Sequence, residues 1–85
     1  MNVQMKITFQ TTHTLTQETG MKMWQMGQHF MQVKGRATYQ LTTTGTADDL
    51  VSGVEGVTAA ITTVVEQDHP RQGISVIKIQ AEQVG

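Results

Sequence analysis

An alternation of apolar and polar residues is the feature that most restricts the fold of this chain. Side chains of a β-strand point alternately to its two faces, so alternation predicts a strand with one buried face. The segment NVQMKITFQT has this pattern, and RATYQLTTTG (36–45) and ISVIKIQAE (74–82) are interpreted as strands in the same way. In the first strand the apolar positions are Val3, Met5, Ile7 and Phe9.

The Met-rich stretch GMKMWQMGQHFMQVKG (20–35) has the periodicity of a helix. Its apolar side chains fall within one arc of a helical wheel, and most polar ones fall in the complementary arc. We predict a helix from about residue 15 to 34, with Thr14 and Gln17 as a capping box and Thr16 as a rival cap. In an alternative interpretation, residues 27–33 form a strand that pairs with residues 36–43 across a Lys34-Gly35 turn.

A second helix is predicted in TADDLVSGVEGVTAAITTVVEQ (46–67). Its apolar residues share one side of a helical wheel, and Thr46 with Asp49 suits a capping box. Pro70 in the following segment is a stop signal. The predicted core combines the two helices with the strands, and its members are Ile7, Phe9, Met23, Met26, Phe30, Val33, Tyr39, Leu41, Leu50, Val54, Val57, Ile61, Ile77 and Ile79.

Strands with one polar face predict a sheet that helices cover on one side only. Residues 1–85 are therefore expected to form a single domain, an α/β two-layer sandwich of the ferredoxin-like kind. The predicted order is strand-helix-strand-helix-strand. A standard domain of this kind has four strands, so one strand is expected to be missing, very short or hidden in the first helix.

Composition excludes several classes of function. With no Cys, the chain can have no disulfide, thiolate metal ligand or Cys nucleophile. A net charge of −1 disfavours nucleic acid as a partner. The polar start MNVQMK, with no long apolar run after it, predicts neither a signal peptide nor a membrane segment, and the cytoplasm is the expected location.

Candidate catalytic and metal-binding residues are sparse. Ser52 and Ser75 have no evident His–Asp partners, and Asp48 and Asp49 stand where a helix start favours acidic residues. On the predicted helix the Met side chains and His29 lie on opposite faces, whereas a soft metal site needs them to converge. We therefore expect no enzymatic activity, no cofactor and no metal.

Threonine-rich strand ends are the best candidate for a ligand site. If the first two predicted strands are parallel, Thr11, Thr12 and His13 lie beside the run Thr42, Thr43 and Thr44. Open α/β sheets tend to bind ligands at such ends. The alternative is an ordinary polar edge of the sheet.

Two further stretches carry a resemblance to a known family. YQLTTTGT (39–46), a following helix and VIKI (76–79) resemble the small thiamine-binding, ferredoxin-like family. That resemblance implies a non-enzymatic binder of thiamine or a pyrimidine-like molecule that acts as an oligomer. It favours a site at Tyr39, Thr42 to Thr44 and Thr46.

The sequence thus supports two hypotheses of different classes. The first is a small ligand-binding module with its site at Thr11, His13, Tyr39, Thr42, Thr43, Thr44 and Thr46. The second is a homo-oligomeric interaction or assembly domain with no small ligand. In both hypotheses a dimer or tetramer is expected, because a sheet of three strands leaves two edges exposed and proteins usually protect such edges.

Overall fold

The computed structural model describes residues 1–84, which form four strands and two helices. The elements are β1 (Asn2–Thr11), α1 (Gln17–Met26), β2 (His29–Lys34), β3 (Thr38–Thr46), α2 (Leu50–Asp68) and β4 (Ile74–Gln83). No helix within residues 1–84 is long and apolar enough to cross a lipid bilayer.

The strands form one antiparallel sheet in the order β2-β3-β1-β4. Because β1 and β2 are both antiparallel to β3, helix α1 connects two strands that run in the same direction. Helix α2 connects β3 and β4 in the same manner. The chain is a small α+β domain compatible with a two-layer sandwich, with its core between the sheet and the helices.

The prediction of a first helix extending to residue 34 is wrong. Helix α1 ends at Met26, and β2 pairs with β3 so that Phe30 lies opposite Leu41. Gly35, with a φ of 65°, forms the turn between them. The alternative hairpin interpretation is therefore confirmed. The helical pattern was misleading because it counted Met31 and Val33 as part of a buried face, whereas both are exposed on this edge strand.

Each helix begins at a single capping side chain, and neither predicted capping box forms. The hydroxyl of Thr16, the rival cap, accepts a hydrogen bond from Thr19 N at 3.2 Å. The carboxylate of Asp49 accepts one from Ser52 N at 2.7 Å. Thr46 remains in β3 and cannot cap α2.

Much of the predicted core is confirmed. Three aromatic rings lie at its centre: the centroids of Phe30 and Tyr39 are 5.5 Å apart, and that of Phe9 is 5.7 Å from that of Tyr39. The predicted core residues that are buried are Ile7, Phe9, Met23, Phe30, Tyr39, Leu41 and Ile61, with Met26, Val54 and Val57 half-buried against them. The predicted core residues that are exposed instead are Val33, Leu50, Ile77 and Ile79.

A β-bulge in β4 changes which of its side chains face the helices. Thr8 lies opposite Lys78, whereas the next residue, Phe9, lies opposite Val76, so Ile77 is the extra residue. Val76 therefore shares a face with Phe9, contrary to the simple alternation expected from the sequence.

Candidate functional site

The predicted convergence of Thr11 and His13 with the Thr42 to Thr44 run is wrong. It required parallel strands, whereas β1 and β3 are antiparallel. Thr43 lies opposite Met5, and Thr11 N donates a hydrogen bond to Ala37 O at 2.9 Å. The two groups therefore lie toward opposite ends of the β1–β3 pair.

Thr11, His13 and Tyr39 lie toward the same end of the sheet, where β1 leads into α1. The Thr11 hydroxyl donates to His13 O at 2.6 Å. The Tyr39 hydroxyl accepts from Leu15 N at 2.8 Å and donates to Arg36 O at 3.1 Å. Thr11 and Tyr39 are buried, so they position the loop that carries His13.

The other four predicted site residues are spread along β3. Thr42 faces the helix-free side of the sheet, whereas Thr43 is buried and donates to Met26 O at 3.4 Å. Thr44 is exposed, and the Thr46 hydroxyl donates to Asn2 Oδ1 at 3.3 Å.

A cleft of about 380 Å³ adjoins His13 and is walled by the turn between α2 and β4. Backbone bonds fix this turn against the end of β1: Thr12 N donates to Gly73 O at 3.2 Å, and Gly73 N donates to the Thr12 hydroxyl at 3.0 Å. The side chains that line the cleft are His13, His69, Pro70, Arg71 and Gln72.

Gln72 lines this cleft, and its side-chain amide has one donor that is enclosed by protein and unpartnered within residues 1–84. Its Oε1 accepts a hydrogen bond from His13 N. A backbone N–H can only donate, so this contact fixes which side of the amide is oxygen. The Nε2 on the other side is buried and has no hydrogen-bond partner. A buried donor left unmatched destabilises a protein, and such a group is usually matched by water or a ligand.

A chain of polar contacts holds His69, at the end of α2, against α1. Lys22 Nζ contacts Asp68 Oδ1 at 2.7 Å, and the hydroxyl of Thr19 donates to Asp68 Oδ2 at 2.7 Å. Because that hydroxyl has only one hydrogen, it must accept from His69 Nε2, which is 3.2 Å away. This contact requires the tautomer of His69 with its proton on Nε2.

The same contacts set the charge beside the cleft. The hydrogen bonds from Lys22 and Thr19 hold the pKa of the Asp68 carboxyl below its ordinary value. The hydrogen bond to Asp68 likewise raises the pKa of the Lys22 ammonium. Asp68 is thus an anion already neutralised by Lys22, and among residues 1–84 no carboxylate lines the cleft itself. The groups that line it favour a ligand with hydrogen-bond acceptors and negative charge.

Sequence reasoning missed most of this cleft. The predicted site residues included His13 but not His69, Arg71 or Gln72. The segment DHPRQG is dense in hydrogen-bonding side chains, but its neighbour His13 lies 59 positions from Gln72 along the chain. Only the pairing of β1 with β4 brings the two together.

Within residues 1–84 no group of three or more His, Asp or Glu side chains is arranged to hold a metal ion. No protein-family model, no curated protein and no solved structure matches this chain.

Proposed function

We propose that this chain is a small, non-enzymatic module that binds a small molecule with an anionic group in the cleft beside His13. The lining of the cleft carries the proposal, because the imidazoles of His13 and His69 and the amide of Gln72 meet there with no carboxylate among them. Arg71 adds a permanent positive charge at the same wall. The volume, about 380 Å³, suits a small molecule.

The test is calorimetry and thermal unfolding with three probes: inorganic phosphate, succinate and thiamine. Phosphate or succinate is expected to bind and to raise the melting temperature. Gln72→Glu keeps an oxygen for His13 N but replaces the Nε2 donor with a negatively charged oxygen. It should weaken anion binding by at least about tenfold.

Gln25→Glu is the matched control, since it makes the same charge change on an exposed residue of α1 outside the cleft. Its affinity should equal that of the unmodified protein. If neither anion binds, or if both variants weaken binding equally, the cleft is not the site.

Thiamine or a pyrimidine-like molecule, the ligand implied by the family resemblance, is an alternative ligand for such a binding module and would occupy a different place. On the helix-free face of the sheet, a concavity of about 240 Å³ is lined by Glu82, whose carboxylate would attract a cationic ring, and by Lys6, whose ammonium would oppose it. Its other lining residues are Gln4, Thr42, Gln80 and Ala81. Binding of thiamine should then depend on Glu82 and be insensitive to Gln72→Glu.

We also propose that the sandwich is of the ferredoxin-like kind. The strand-helix-strand-strand-helix-strand order supports this proposal. The sheet order supports it too, because the two strands that each helix connects are separated by one other strand. The cytoplasmic location stays a prediction.

Assembly of identical chains is the second candidate function. The edge strand β4 favours it, because this strand exposes Val76, Ile77 and Ile79 together. Gel filtration with light scattering tests it directly: a mass that stays at 9.4 kDa at the highest attainable concentration contradicts it.

A further inference from the structure

Strand β4 is a long sheet edge that is regular from Lys78 to Gln83, beyond its β-bulge at Ile77. It has ten residues, lies at the end of the sheet, and within residues 1–84 pairs with β1 alone. Val76, Ile77 and Ile79 are 36%, 55% and 47% exposed. The opposite edge, β2, is shorter at six residues and is interrupted by an irregularity next to Lys34. Long apolar edges are templates for pairing with another strand.

The ladder between β1 and β4 determines which backbone groups of β4 are available. Val84 N donates to Asn2 O at 2.9 Å, and in antiparallel pairs hydrogen-bonded and non-hydrogen-bonded positions alternate. Lys78, Gln80 and Glu82 therefore direct their N–H and C=O groups toward β1. The groups of Ile79, Ala81 and Gln83 point away from the sheet, in register to accept another strand.

We propose that β4 pairs antiparallel with β4 of a second copy of this chain, about a two-fold axis at Gln80. This inference rests on assembly, the second candidate function above, and is independent of the ligand-binding cleft. In this register Lys78 lies opposite Glu82 of the partner, so symmetry creates two pairs of opposite charge on the helix-free face. Neither residue has an ion-pair partner within residues 1–84.

The charges select this register among the symmetric possibilities. An axis at Lys78 would place two ammonium groups opposite each other, which destabilises a sheet. An axis at Ile79 would pair Lys78 with Gln80 and leave both charges unmatched. Only the axis at Gln80 pairs each Lys78 with a carboxylate.

The same axis brings apolar side chains together on the helix-covered face. A two-fold axis perpendicular to the sheet keeps the helices of both copies on one side. Ile79, which is nearly half exposed, then lies opposite Ala81 of the partner. Pairing would join two four-stranded sheets into one and remove both β4 edges.

Sedimentation of charge variants tests both the assembly and its register. Lys78→Glu alone and Glu82→Lys alone each create two like-charged pairs, so each should weaken dimerisation by about tenfold. The double variant Lys78→Glu/Glu82→Lys should restore the original affinity. An equimolar mixture of the two single variants should also dimerise well, because every cross-strand pair then has opposite charges. Lys34→Glu on β2 is the control and should have no effect.

The outcomes distinguish dimerisation itself from the register proposed for it. A chain that is monomeric at every attainable concentration overturns assembly and register together. A dimer that responds equally to Lys34→Glu and Lys78→Glu, or one that neither the double variant nor the mixture restores, overturns the register while leaving assembly in place.

Discussion

Lys22 Nζ lies 2.7 Å from Asp68 Oδ1 and joins the middle of α1 to the last residue of α2. Because hydrogen bonds from Lys22 and Thr19 lower the pKa of Asp68, its contribution to stability is fully present above the pKa of an unfolded Asp. It is lost as the pH falls through the lower, folded value. The loss of this contact should therefore contribute to acid unfolding below about pH 4.

Removing the ammonium group tests this expectation. Lys22→Met leaves Asp68 with only the Thr19 hydroxyl as a donor, so the pKa of Asp68 should rise toward its ordinary value. The acid unfolding midpoint, followed by circular dichroism, should move to higher pH. Lys34→Met, which removes an exposed lysine from β2, should leave the midpoint unchanged.

Gly27 is required at the end of α1 because β3 packs closely against it. A Cβ at this position would lie 2.7 Å from Leu41 Cδ1 and 2.7 Å from Thr42 O, and the carbonyl belongs to the backbone of β3 and cannot rotate away. Gly27→Ala should destabilise the fold by about 1–3 kcal/mol in denaturant unfolding.

Gly56→Ala gives the opposite expectation and serves as the control. A Cβ there would meet nothing within 4 Å, on an exposed face of α2. Alanine in a helix should stabilise the protein by about 0.5–1 kcal/mol. Equal effects of the two substitutions would contradict the packing assigned to Gly27.

Phe30 should be a major source of stability although it lies on an edge strand. It is buried, and its ring is stacked on that of Tyr39. Phe30→Ala should cost about 3–5 kcal/mol in the free energy of unfolding. Met31→Ala, one residue along and exposed, should change stability by no more than about 0.5 kcal/mol. A small loss for Phe30→Ala would show that the aromatic cluster is not packed as described.

The Tyr39 hydroxyl should matter independently of its ring. It is the acceptor for Leu15 N in a buried hydrogen bond, so Tyr39→Phe leaves that N–H without a partner. The cost should be about 1–3 kcal/mol, measured by chemical unfolding. If Tyr39→Phe were neutral, the hydroxyl would not be holding the loop before α1.

The sequence was most informative where a single periodicity governs a segment. The alternation over Val3 to Phe9 predicted β1 correctly, and the apolar stripe of α2 located that helix. Periodicity gave the wrong prediction for residues 27–34, because β2 is an edge strand on which Met31 and Val33 are exposed. A strand with apolar side chains on both faces has no period-two signal. The Lys34-Gly35 turn was the remaining clue, and it supported the correct alternative.

The candidate site could be predicted only in part because its residues meet through strand direction. Placing Thr11 and His13 at a strand end was correct, but a local pattern carries no information on whether β1 and β3 are parallel. Because the strands are antiparallel, the neighbours of His13 are Arg71 and Gln72 and not the predicted Thr42 to Thr44 run. In β4, the bulge at Ile77 likewise had no recognisable signal in ISVIKIQAE.

The central position of β1 also has a consequence for the order in which the fold can assemble. β1 precedes the other strands of this sheet in the chain, yet its two neighbours are β3 and β4, and Val3 lies opposite Gln83, 80 positions later. The β2–β3 hairpin can close early from local contacts, whereas β1 has one open side until the last strand has been made. Such distant pairings slow folding, since a long loop must close before the contact is gained. During synthesis, one edge of β1 therefore stays unpaired until β4, the last strand of this sheet in chain order, has emerged.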